Sequence, residues 1–134
     1  MLLTRESDYA LRVLRSLKDG EQKSVGDISQ EQMIPQQFAY RIIKNLSHAG
    51  LVQITRGAGG GCRLSADLAK TSLYDLMTAV EDHCDINACM DSNYHCPWRE
   101  KNGGCSIHEQ LSELQMRLND QLRAQSLMTL LTER

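Results

Sequence analysis

Four of the five cysteines lie within residues 84–105: Cys84, Cys89, then Cys96 after six residues and Cys105 after eight more. His108 follows Cys105 at Cys-x-x-His spacing. Thiolate is a soft ligand that suits iron–sulfur clusters, zinc and copper(I). Cys89, Cys96 and Cys105, on one flexible loop, can close around a single group without a scaffold on each side. A cubane cluster takes a fourth ligand, and so does tetrahedral zinc. His108 offers a nitrogen one helical turn after Cys105, while Asp85, Asp91 and Asp8 offer carboxylates. There is no Cys-x-x-Cys pair, the spacing most structural zinc sites use, which favours a cluster and keeps zinc as the alternative. Four unligated thiols in so short a stretch would be a hazard rather than a neutral feature. Cys62 stands apart and reads as a small packing residue. Cys84 stays open between an extra ligand, a redox partner and a spare.

Two metal-free chemistries compete. A thiol beside a resolving thiol can sense oxidants by disulfide formation. A cysteine with His108 can imitate a thiol catalyst. No oxyanion loop or substrate pocket accompanies it, so the chain reads as a non-enzyme, with a thiol-based redox enzyme as the contrasting class.

The elements around these residues follow from periodicity and caps. Residues 4–18 read as a helix capped by Thr4, with Glu6 and Asp8 in the first turn and Ala10, Leu11, Leu14 and Leu17 at helical spacing. Ser24 opens a short second helix with Ile28 buried. Pro35 starts a third, to Ala49, with Phe38, Ile42, Leu46 and Ala49 on one face and Gln36, Gln37, Tyr40, Arg41 and Lys44 on the other. Leu51–Thr55 and Cys62–Ser65 flank the glycine-rich Arg56–Gly61, a hairpin signal. No Lys-Ser/Thr pair opens a helix after it, which excludes a phosphate-binding P-loop. Two helices, a tight joint and a hairpin spell a winged helix-turn-helix. Residues 72–81 read as a fourth helix. Residues 82–104 show no periodicity. From Ser106 to about Leu131 the pattern is helical again, with Ile107, Leu111, Leu114, Leu118 and Leu122 near a heptad seam. A helix this long beside a small head calls for a second copy, hence a twofold homodimer.

Bulk properties fit. The 134 residues are 41% hydrophobic and 24% charged, with one Trp and one Phe, so the core must be aliphatic. The net charge of −2 argues weakly against a nucleic-acid partner, but its distribution reverses that reading. No Asp or Glu occurs between Glu31 and Asp67, a stretch that holds Arg41, Lys44, Arg56 and Arg63. Local field, not net charge, attracts a phosphate backbone. Arginine and lysine read guanine edges, glutamine reads adenine, and Arg56 at a wing reaches backbone or minor groove. No apolar run is long enough for a membrane span, and the N-terminus turns polar at once, so a cytoplasmic protein is expected.

Three segments together resemble the bacterial winged-helix regulator family that includes IscR, NsrR and RirA: Leu3–Arg12, Leu46–Val52 and Arg56–Ser65. The resemblance covers essentially the whole chain. It implies a homodimer on a double-stranded DNA operator, acting mostly as a repressor, tuned by an iron–sulfur cluster that senses nitric oxide, redox state or iron. It maps the three loop ligands onto Cys89, Cys96 and Cys105. The fourth maps onto His108, as in IscR-like members, or onto Asp8 donated across the dimer, as in NsrR-like members. A 4Fe–4S cluster is favoured over 2Fe–2S. The spacing of six and eight is wider than in the best-matching members, and Cys84 is additional to their pattern. The expected architecture is mainly α with a small β-hairpin: a winged helix-turn-helix over 1–81, a cluster-binding loop over 82–105 and a long dimerisation helix over 106–134.

Overall fold

The computed structural model describes residues 2–81 and 84–133. The expected boundary at 81/82 therefore falls beside Asp82 and His83, which lie outside the described residues, as do Met1 and Arg134. The order is α1 (Arg5–Leu17), α2 (Val25–Gln32), α3 (Gln36–His48), β1 (Val52–Thr55), β2 (Gly61–Leu64), α4 (Leu73–Val80), a 3-10 turn (Ala88–Met90), α5 (Pro97–Asn102), α6 (Ser106–Ala124) and α7 (Leu127–Leu131).

The head is built as the patterning requires. Thr4 caps α1 by accepting from the Glu6 N–H, and Ala10, Val13, Leu14 and Leu17 are buried on its inner face. Ser24 caps α2 through the Asp27 N–H. The joint between α2 and α3 turns at Met33, whose φ of 56° lets its N–H reach the Ser29 carbonyl. A left-handed residue here redirects the chain within one step. Pro35 sits at the cap of α3 rather than inside it. Ile42, Ile43 and Leu46 are buried, whereas Ala49, expected on the same face, is exposed beyond the helix end. Burying these aliphatic faces against α1 and α4 supplies the apolar transfer energy that holds the head.

β1 and β2 pair antiparallel, with Val52 opposite Leu64 and Thr55 opposite Gly61. The hairpin is docked by Lys23, whose backbone N–H and carbonyl both bond to Cys62, at 2.9 and 2.8 Å. Two helices, the tight turn and this hairpin make a winged helix-turn-helix. Docking demands glycine at 61, because a Cβ there would stand 2.5 Å from the Lys23 carbonyl oxygen. Gly61→Ala is expected to push the wing off Lys23 and cost about 2 kcal/mol or more, read as a lowered urea midpoint at unchanged slope. An unchanged midpoint would show that the wing does not depend on this contact.

Two expectations are corrected beyond the head. The segment that shows no periodicity is not without regular structure, since its described residues 84–104 hold the 3-10 turn and α5. Pro97 opens α5 and Gly103, at φ 71°, stops it. The helix from 106 also does not run unbroken to 131. It ends at Ala124, and Ser126 caps a separate α7 by accepting from the Thr129 N–H at 3.1 Å. The break lets α7 fold back onto the head. The Leu127 N–H bonds to the Thr71 carbonyl, Met128 to Leu68 and Leu73 to Gln125, and Leu127 is fully buried. One end of α6 is thereby clamped to the head while the other begins at Cys105. Among the described residues no helix is long and apolar enough to cross a membrane.

Candidate functional site

Three elements bring the thiols together. Cys89 lies in the 3-10 turn, Cys96 immediately precedes α5, and Cys105 immediately precedes α6. These three, with His108 in the first turn of α6, line one cavity of about 390 Å³. Ala88, Trp98 and Ile107 supply its apolar part. His108 lies three residues after Cys105, so the helix places both on one side. Its Nδ1 is buried and, among the described residues, has no hydrogen-bond partner. A buried polar atom left unpaired is costly, and it marks a position where a bound group can be received. The Asn87 side-chain amide donates to the Cys89 Sγ at 3.3 Å, a contact of the kind that tunes sulfur ligands. Among the described residues no three His, Cys, Asp or Glu side chains stand close enough to hold a single metal ion.

The remaining candidates separate. Asp8 does not line this cavity; it sits exposed on α1, paired to Arg12 at 3.0 Å. Cys84 packs at the edge of the hydrophobic core, outside the cavity. Burial, and then the charges of Glu81 and Asp85, push its thiol pKa up, which favours the protonated form. Cys62 is almost fully buried in the wing strand, and burial pushes its thiol up to about 11. It is a packing residue, as its strand position suggests.

Two positioning groups have no signature in the motifs of the sequence. The buried side chain of Gln115 on α6 accepts from the Ile86 N–H at 2.8 Å and donates to the Cys84 carbonyl at 3.1 Å. One amide thus pins both backbone faces at the start of the cysteine segment. Its sequence signal is a polar residue four positions after Leu111, in register with Leu118 and Leu122. The second is Glu81, which accepts from the Thr4 and Ser7 hydroxyls and so joins the end of α4 to the start of α1. These partners are 77 and 74 residues apart in sequence, and no local pattern reveals them.

A second site lies across the head. Gln36, Gln37, Tyr40, Arg41 and Lys44 are exposed on α3, and Arg56 is exposed at the wing. A groove of about 1110 Å³ runs between α3 and the hairpin, lined by Gln37, Tyr40, Arg41, Lys44 and Arg56. Gln36 lies outside the lining, whereas His48 and Thr55, not singled out from the sequence, belong to it. Gln22 braces the wing, donating to the Gly59 carbonyl at 2.6 Å and accepting from Arg63 at 3.4 Å.

Comparison with known proteins follows the same lines. Residues 3–133 match the Rrf2 family, described as an iron-dependent transcriptional regulator. The HTH-type transcriptional regulator NsrR of Bacillus subtilis is 33% identical over 96 residues, 69% of this chain and 66% of that protein. IscR of Vibrio vulnificus is 31% identical over 125 residues, 90% of this chain and 71% of its own. Protein aau3 of Rhizobium meliloti is 31% identical over 100 residues, and the match spans 65% of its length. The chain thus matches just under two thirds of the length of aau3 and of NsrR. Among solved structures, Staphylococcus aureus CymR superposes with a TM-score of 0.70 at 20% identity, covering 98% of both chains. T. potens IscR gives 0.66 at 17% identity, covering 96% of this chain and 84% of that one. At such identities these two speak for the fold. The matched family is one of regulators, not of enzymes, and the chain belongs to it: it is a member of the Rrf2 family of transcriptional regulators.

Proposed function

We propose that this chain is a DNA-binding repressor, working as a homodimer in the cytoplasm, whose affinity for a double-stranded operator is controlled by an iron–sulfur cluster. The observation that carries this reading is the convergence of Cys89, Cys96, Cys105 and His108 on one cavity, with a buried His108 nitrogen lacking a partner among the described residues. Three soft sulfurs and one imidazole suit a cluster, and four donors match the four irons of a 4Fe–4S cubane. A bound cluster supplies chemistry that nitric oxide, oxidants or iron shortage can reach.

The chain's own residues do the rest. Gln115 and the first turn of α6 position the cysteine segment. Gln36, Gln37, Tyr40, Arg41 and Lys44 face the major groove, and Arg56 reaches the backbone or the minor groove. Residues 1–81 form the reading head, 82–105 the sensing segment, and 106–134 the dimerisation segment, whose last turn returns to the head. Ile107 and Leu114 are exposed along α6, and Leu111 and Leu118 are half-covered. This is the seam for a second copy.

Anaerobic reconstitution with iron and sulfide tests the reading. The expected result is a brown protein with about four irons and four sulfides per chain. Colourless protein holding one zinc, or metal-free thiols that cross-link on oxidation, would overturn it. His108→Ala is expected to lose the cluster while Asp8→Ala keeps it. The reverse result would assign the fourth position to Asp8 from the partner subunit.

A further inference from the structure

Arg41 is engaged although it faces the groove. Its guanidinium pairs with the Glu6 carboxylate, 35 residues away on α1, and lies 4.9 Å over the Phe38 ring. Lys44 and Arg56, on the same surface, have no ion-pair partner among the described residues. One reading cation is thus neutralised while its neighbours are not.

We propose that Glu6 is the positioning residue for Arg41: it holds the guanidinium as an internal stand-in for a DNA phosphate, and Arg41 must exchange one for the other to bind. The proposal rests on the DNA-binding reading above. The planar guanidinium fork fits carboxylate and phosphate alike. The pair is weak enough to exchange, because the Arg41 side chain is 53% exposed and Glu6 29%, and solvent screening leaves such pairs little net attraction. Phosphate contact adds counterion release, which a carboxylate on the protein does not supply. Phe38 keeps the freed guanidinium over α3 rather than letting it wander.

The turn that carries Glu6 is also anchored. Its N–H bonds to the Thr4 hydroxyl at 3.2 Å, and the Thr4 and Ser7 hydroxyls both donate to Glu81, three residues before Cys84. The grip on Arg41 is therefore set by a turn fastened where the cysteine segment begins.

The test is binding of a mixed-sequence DNA duplex by the metal-free full chain over a salt series, for wild type, Glu6→Gln, Arg41→Gln and the double variant. Glu6→Gln is expected to bind several-fold tighter at a slope of log K against log salt close to that of wild type, because Arg41 neutralises a phosphate in both complexes. Arg41→Gln abolishes that gain, so the double variant matches Arg41→Gln alone. Unchanged or weaker binding by Glu6→Gln, or the same gain in the Arg41→Gln background, overturns the proposal. If Lys44→Ala and Arg56→Ala also leave affinity unchanged, the DNA face itself is wrong, which separates the two failures. A readout without DNA accompanies it. In nitrogen-15 spectra, rotation about the Arg41 Cζ–Nε bond is expected to be slow in wild type and fast in Glu6→Gln. Equally fast rotation in both overturns the pairing.

Discussion

Alanine at both Lys44 and Arg56 is expected to weaken operator binding by roughly two to three orders of magnitude at physiological salt. Both side chains are exposed and line the groove between α3 and the wing, and neither has an ion-pair partner among the described residues. Their charge thus reaches phosphate without first breaking a pair. Removing one such cation from a DNA interface costs about 1 kcal/mol at the low end of its range. The proposed homodimer would lose four cations, so roughly 4 kcal/mol in all, or a factor near a thousand if the four effects add. The salt dependence should flatten by about 0.9 for each phosphate no longer neutralised. Fluorescence anisotropy over a salt series checks both numbers. The fold should be unaffected, because surface substitutions of this kind cost within about 0.5 kcal/mol. A variant that keeps wild-type affinity and slope would move the DNA face elsewhere.

Replacing Cys96 by alanine is expected to abolish the visible absorption of reconstituted protein, whereas Cys84→Ala leaves it intact. The two thiols differ in placement, and placement sets their chemistry. Cys96 lines the cavity shared with Cys89, Cys105 and His108. Cys84 lies outside it, against the core, with its thiol pKa pushed up by burial and by neighbouring acids. A thiol that resists deprotonation is a poor ligand, because the thiolate is the form that binds. Iron and sulfide content beside the spectrum checks the contrast. Loss of the cluster in Cys84→Ala, with retention in Cys96→Ala, would reverse the ligand assignment. Gln115→Leu provides an intermediate case. It removes the amide that holds the backbone at 84 and 86, and the cluster should form but be lost faster to a chelator.

The winged helix-turn-helix is legible in the sequence because its signals are local. Helical spacing of Leu14 and Leu17, and of Ile42 and Leu46, specifies faces that end up buried. Ser24, Gly50 and the glycine run mark boundaries that the chain respects. α5 is hidden although Pro97 and Gly103 bracket it, because six residues are too few to show a period. The break before α7 is hidden because apolar residues continue beyond it, at Leu127, Met128, Leu130 and Leu131. Only Ser126 signals the stop, and a single serine is a weak sign. At the site, the cysteine segment is readable from residue type and spacing, but Cys84 stays open there, and it is the fold that lines one cavity with Cys89, Cys96 and Cys105. The choice between Asp8 and His108 is not, because it depends on where α1 lies relative to α6. Within one chain the fold puts His108 on the cavity and leaves Asp8 paired with Arg12. Glu6, Glu81 and Gln115 act through partners distant in sequence, which no periodicity encodes.

Control of DNA binding by the cysteine site implies a coupling free energy between two places on one chain. Such couplings usually amount to about 1–3 kcal/mol, or 5–150-fold in affinity. The direct measurement is operator affinity by anaerobic anisotropy at one fixed salt concentration, for cluster-loaded protein and for the same preparation stripped by chelator. The two are predicted to differ by about tenfold or more, with Cys96→Ala behaving like the stripped form. Equal affinities for loaded and stripped protein, with the cluster shown to be present, would contradict it.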